Sequence, residues 1–141
     1  MQPFYNSRQS GIETAFINFL ERAANHVVWW FKNGERDQKY FAVPYEEDVE
    51  RKPFYVDFIV RLKDGSVGLF DTKSGLTRQV AGPKVDGLHA YIKEQNKKGQ
   101  KLFGGIVTST DPRNYSGRWV YFTKESKLLT NSFDNWDDLI L

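Results

Sequence analysis

Apolar residues recur at helical spacing near the start of the chain. Ile12, Phe16, Ile17 and Leu20, followed by Ala23 and Ala24, share one face of a helix predicted over residues 10–24. Ser10 suits the N-cap, and Glu13 three residues on completes a capping-box pattern. The period then changes. Residues 27–31 are a β-branched and aromatic run closed by Asn33-Gly34, and residues 40–45 form a second short strand. The acidic stretch Glu46, Glu47, Asp48 and Glu50 predicts a solvated loop. Residues 54–62 and 67–73 are the strongest strands, with Asp64-Gly65 between them as a hairpin turn. A loop over residues 75–82 leads to a helix over 84–98, in which Val85, Leu88, Tyr91 and Ile92 keep helical spacing and Gly99 supplies the C′ residue. Residues 102–108 and 119–122 are two further strands, and residues 133–141 are a short helix or a docked extension. The order predicts an α/β fold, a mixed central sheet flanked by helices. No repeat or linker interrupts it, so residues 1–141 read as one domain.

Composition narrows the chemistry. Hydrophobic residues make up 40% and charged residues 27%, a globular balance. Without cysteine there is no disulfide or thiolate metal site, which accords with a reducing compartment. His26 and His89 are too few for an ordinary zinc site, so any metal would be held by carboxylates, as magnesium or manganese is. No apolar run is long enough to span a membrane, and the first residues lack the pattern of a signal peptide, so a cytoplasmic protein is expected. A net charge of +2 neither demands nor excludes nucleic acid.

Two acids stand where acids are costly. Phe54-Tyr55-Val56-Asp57-Phe58-Ile59-Val60 is otherwise apolar, the composition of a strand covered on both faces. Its partner runs Val67-Gly68-Leu69-Phe70 straight into Asp71-Thr72-Lys73. Buried carboxylates need compensation. A divalent cation supplies it: two carboxylates hold magnesium while the ion keeps several waters and takes phosphate. Lys73 follows Asp71 by two residues, so both project to one face of a strand, where an ammonium can orient water and offset phosphate charge.

Register decides whether Asp57 joins them. A two-residue turn at Asp64-Gly65 pairs Lys63 with Ser66 and puts Asp57 opposite Thr72, on the face away from Asp71. A three-residue turn or a bulge shifts the register by one and, on this reading, sets Asp57 opposite Lys73 on the face of Asp71. The metal reading requires that shift.

Val56-Asp57, a gap of thirteen residues, and Asp71-Thr72-Lys73 resemble the PD-(D/E)xK nuclease motif. Glu13 on the first helix, Val28-Trp29-Trp30-Phe31-Lys32-Asn33 and Val43-Pro44-Tyr45 precede it in an order that resembles the C-terminal endonuclease domain of type III restriction enzyme helicase-nuclease subunits. The resemblance covers residues 10–108. It implies a restriction-endonuclease-like fold and magnesium-dependent hydrolysis of DNA. Asp57 and Asp71 would hold the metal, the Thr72 carbonyl would add a ligand, and Lys73 would be the catalytic lysine. Glu13 would approach from the first helix, with Glu21 as the rival acid, and Lys84 would assist. Val56 replaces the usual proline and Asp71 the usual glutamate; neither change removes a charge. The resemblance also implies a helicase or specificity module as partner, since the chain has no Gly-rich phosphate loop, and leaves a homodimer open.

Blander roles compete with each of these. Asp71 and Lys73 could be an ordinary charge pair at a sheet end, and Glu13 the N3 member of the capping box. Lys93, Lys97, Lys98 and Lys101 could contact phosphate or simply suit the end of a helix. Arg113, Arg118 and Lys124 could extend a basic surface. Trp29 and Trp30 could stack on bases, although one strand would bury one of them. At the level of the protein, a silent nucleic-acid-binding or interaction domain is the alternative; a glycosidase with paired acids is disfavoured by the adjacent lysine.

Overall fold

The apolar stripe at the start of the chain becomes α1 (Gly11–Arg22), whose Ile12, Phe16, Ile17 and Leu20 are buried. The computed structural model describes residues 11–23, 25–32, 43–47, 50–54, 56–72, 82–111, 113–129 and 132–141, with backbone alone for 43–47 and 50–54. Ser10, the expected N-cap, lies outside them. Glu13 in the first turn and Arg22 in the last suit the helix dipole.

Six strands form the central sheet: β1 (Val27–Lys32), β4 (Phe58–Leu62), β5 (Val67–Thr72), β6 (Leu102–Ser109), β7 (Trp119–Phe122) and β8 (Asp137–Asp138), neighbours in that order. β5 and β6 run parallel, joined by α2 (Gly82–Lys97), and the other pairs are antiparallel. β2 (Val43–Glu47) and β3 (Glu50–Phe54) make a separate hairpin, with β2 alongside α2. The result is a mixed α/β fold.

Alternation along the strands feeds two cores. On one face α1 packs against Phe58, Val60, Phe70, Val107 and Trp119. Phe16 is fully buried there, with ring centroids 5.1 Å from Phe58, 5.6 Å from Phe70 and 5.3 Å from Trp119. Its burial contributes about 1.5–3 kcal/mol. On the other face α2 sets Leu88 and Ile92 over Val56, Ile59 and Leu69, and Val85 over Ile106, Val120 and Phe122.

Two expectations are corrected. The acidic stretch is not a loop throughout: Glu46 and Glu47 end β2 and Glu50 opens β3, with Glu47 paired to Glu50. The run over residues 54–62 is not one strand. Its first part pairs with β2 and its second with β1 and β5, so the chain bends at Asp57 between the two sheets. The tail settles as the docked extension: Trp136 and Leu139 are buried and β8 pairs with β7.

The loop after β6 lies at the same sheet end as the last residues of β5, because the two strands are parallel. Asp111 organises it, accepting from the Ser116 hydroxyl at 2.6 Å and the Arg113 and Asn114 amides at 3.1 and 3.3 Å. The Ser116 hydroxyl first, then the Asn114 amide, hold this carboxyl below its ordinary value of 3.8. A depressed carboxyl stabilises the loop at pH values above that ordinary value, and the contribution is lost as pH falls through the lower folded value. The Arg113 and Asn114 amide NMR shifts are therefore expected to titrate below pH 3.8, and Ser116→Ala should raise the midpoint.

Candidate functional site

The turn before the site decides its geometry. Lys63, Asp64 and Gly65 form a three-residue loop: the Leu62 amide donates to the Ser66 carbonyl at 2.9 Å, and the Gly65 amide to the Leu62 carbonyl at 3.0 Å. Gly65 has φ +93°, which a side chain would disfavour. Asp64 Oδ1 accepts from the Ser66 amide at 2.8 Å and hydroxyl at 2.6 Å, fixing the loop from within. The required register shift is present, but it runs the other way. Phe58 pairs with Phe70, Ile59 with Leu69, Val60 with Gly68 and Arg61 with Val67. Continued by one position, that register sets Asp57 level with Asp71, not with Lys73.

Asp71 is 3% exposed. Its neighbours on β5 alternate between the two cores, Leu69 under α2 and Phe70 under α1, so Asp71 lies on the α2 face. Across β6 it pairs with Ile106, which Val85 of the first turn of α2 covers. A carboxylate thus sits against an aliphatic floor at the end of a central strand, where burial is expensive.

Asp57 occupies the bend just before β4. The bend breaks the alternation, since Val56 packs with Ile59 in the α2 core. Asp57 Oδ2 accepts two hydrogen bonds from Thr72, from its amide at 2.9 Å and its hydroxyl at 2.8 Å. The carboxylate takes a place that a strand carbonyl would fill in a continued ladder, and it ties the bend to the end of β5.

Glu13 and Lys32 form an ion pair at 3.2 Å, with side chains 15% and 16% exposed. Lys32 pairs with Phe58 across β1–β4, which puts both groups on the α1 face. Glu21, the rival acid, is exposed. Among the described residues, no three of Asp, Glu, His or Cys come together as a ready-made metal cluster. The structure therefore ties Asp57 to Thr72, the residue next to Asp71, and sets Glu13 beside Lys32 on the α1 face, opposite to that of Asp71. Lys73 lies outside the described residues. Lys84 is half-buried on the first turn of α2; Lys93 and Lys97 are exposed. His89 Nδ1 lies 2.7 Å from the Thr123 carbonyl, a structural tie between α2 and the segment after β7. Arg118 and Lys124 pair with Asp138 and Asp137 of β8, which docks the tail.

Two participants escaped the sequence reading. A threonine hydroxyl in a strand gives no signal of its partner, so the bond from Thr72 to Asp57 is not legible in the sequence. Lys32 gave only a weak signal, a basic residue at the end of an oily strand.

No curated protein and no solved structure matched the chain. The sequence model of the YagJ family matches residues 5–115, and the chain belongs to that family.

Proposed function

We propose that the chain is a divalent-metal-dependent DNA endonuclease of the PD-(D/E)xK type, with a restriction-endonuclease-like fold, serving as the nuclease module of a restriction or helicase-linked system. The observation that carries this reading is Asp71: a carboxylate 3% exposed, level with a second carboxylate that is fixed by two hydrogen bonds to the adjacent Thr72. The order helix, antiparallel hairpin bearing the acids, helix and parallel strand supports it further.

The donor set suits magnesium or manganese. It is all oxygen, and two carboxylates with one carbonyl are enough for an ion that retains waters. Asp57, Asp71 and the Thr72 carbonyl would hold it, with Glu13 contributing only if its bond to Lys32 opens. When bound, the ion would polarise the phosphodiester and lower the pKa of water. The chain's own groups do the rest. Thr72 holds the Asp57 carboxylate in one orientation, leaving its second oxygen available. Lys73 orients the attacking water and offsets charge on the phosphate. The water gives up a proton to solvent as its oxygen bonds to phosphorus, the bond to the 3′-oxygen breaks, and the leaving oxygen takes a proton from solvent. DNA is the substrate, and a helicase or specificity module would supply targeting.

Plasmid nicking by the purified chain with magnesium tests this. Cleavage is expected, and it should vanish with EDTA and fall about 10²–10⁴-fold in Lys73→Ala. The hydrogen bonds of Asp57 favour a second reading in one respect, because they also serve as a strand-end cap. Under that reading the chain is a silent nucleic-acid-binding or interaction domain; magnesium would neither bind nor promote cleavage.

A further inference from the structure

β1 is an edge strand that carries large apolar side chains into solvent: Val28 is 56% exposed and Trp29 44%. Edge strands are ordinarily blunted by charge or proline, so an exposed tryptophan there is a liability unless something uses it. Trp29 does not stand alone. Its ring stacks on Phe31, with centroids 6.0 Å apart and planes 28° apart. The remaining tryptophans are inside or half-covered: Trp119 and Trp136 are buried and Trp30 packs on Phe58.

The surroundings are cationic. Trp29 pairs directly with Arg61 across β1–β4, Arg61 with Val67, and Val67 with Leu102. This row crosses the sheet at the end remote from Asp71, about 13 Å along β4 from Asp57 at roughly 3.3 Å per residue. The end of α2 is clamped onto the same row, since Asn96 bonds both the amide and the carbonyl of Leu102 at 2.7 and 2.9 Å. That clamp brings Lys97, Lys98 and Lys101 to it, and Lys63 flanks Arg61. All five of these cations are exposed, and among the described residues Arg61, Lys63, Lys97 and Lys98 enter no ion pair. The acids facing them are Asp64, which lies near Lys101, and Glu94.

We infer that this surface binds single-stranded DNA, with a base stacked on the Trp29–Phe31 pair and phosphates on Arg61 and the lysines at the end of α2. A flat aromatic platform beside exposed cations is the chemistry of single-strand binding, because every base has a face to stack and every link has a charge. A duplex keeps its bases stacked on one another and offers none to Trp29. The inference rests on the nuclease reading for its choice of DNA, and it names the form of substrate that the site receives: an unpaired strand running from the platform towards Asp57.

Binding is measured by anisotropy of a fluorescein-labelled oligo(dT) in EDTA, so that cleavage plays no part. Single strands are expected to bind at least tenfold tighter than a duplex of the same length. Trp29→Ala should weaken binding about tenfold, and Trp29→Phe should restore most of it. Arg61→Ala should reduce the slope of log K against log salt by about 0.7. Lys127→Ala, an exposed lysine by the opposite end of α2, serves as the reference and leaves this binding unchanged; because binding is read in EDTA, a failed nuclease reading and a failed platform are told apart. Equal affinity for duplex and single strand, or binding indifferent to Trp29→Ala, overturns the proposal. So does a change from dimer to monomer in Trp29→Ala without loss of DNA binding, which would assign the patch to a second copy of the chain.

Discussion

Asp71→Asn is expected to abolish magnesium-dependent cleavage and, with it, the stabilisation that magnesium gives the fold. Asparagine matches aspartate in shape but not in charge, so the aliphatic surroundings of Ile106 and Val85 are kept while the affinity for a cation is lost. A ligand that binds only the folded state stabilises it by about 2.7 kcal/mol at a hundred times its Kd. For a chain of this size that is a rise in Tm of roughly 5–10 °C. Magnesium titrated during thermal melting should show the rise in the parent protein and none in Asp71→Asn, and cleavage should fall by on the order of 10²–10³ or more. A variant that retains both the rise and the cleavage would return Asp71 to a purely structural role.

Asp57 separates the two roles more finely, because its structural work is visible. Its Oδ2 serves the Thr72 amide and hydroxyl. Asp57→Asn keeps an oxygen for both donors and should preserve the metal-free Tm while losing the response to magnesium. Asp57→Ala strands a buried amide and hydroxyl, at a cost of about 1–3 kcal/mol even without metal. If both variants lost only stability and neither changed the magnesium response, Asp57 would be a strand-end cap and nothing more.

Much of this was legible before the structure. The helix stripe from Ile12 to Leu20, the pair of helices, the hairpin and the strands over residues 102–108 and 119–122 follow from periodicity, which reports burial directly. What periodicity does not report is where a strand changes partner. Residues 54–60 are apolar on both sides of Asp57, so the pattern does not show that the chain passes there from the β2–β3 hairpin to the main sheet. The direction of the register shift was hidden for a related reason. Lys63-Asp64-Gly65 suits either of two loop lengths, and only the left-handed Gly65, its amide donating to the Leu62 carbonyl, together with the bond from the Leu62 amide to the Ser66 carbonyl, selects one. The acids at 46, 47 and 50 signal a loop because charge favours solvent, yet they fall within the β2–β3 hairpin, whose pairing their charge does not report. The position of Glu13 in the first turn suits a cap or a metal; its pairing with Lys32 depends on how α1 crosses β1, a tertiary fact.

Gly105→Ala is expected to prevent folding, a larger effect than any change at the site. Gly105 has φ +144° within β6, an interior strand held by β5 on one side and β7 on the other. Side chains rarely adopt that backbone conformation, and a Cβ there would run into the Phe122 carbonyl oxygen. No rotamer relieves such a clash, since both the added atom and the obstacle belong to fixed backbone. Either β7 moves off, breaking the pairing of Ile106 with Phe122, or β6 straightens and shifts against β5. The cost should exceed about 4 kcal/mol, a large share of the 5–15 kcal/mol that holds a typical domain together. Gly65→Ala is the proper comparison. It too has positive φ, but nothing lies within 4 Å of the added carbon, so the cost is backbone strain alone, about 1–2 kcal/mol. Circular dichroism and thermal melting should find Gly65→Ala folded with a lowered Tm, and Gly105→Ala without a cooperative transition. A folded Gly105→Ala with a near-parental Tm would show that β6 does not need this kink. It would also weaken the site, because Ile106, the next residue, is the one that Asp71 lies against.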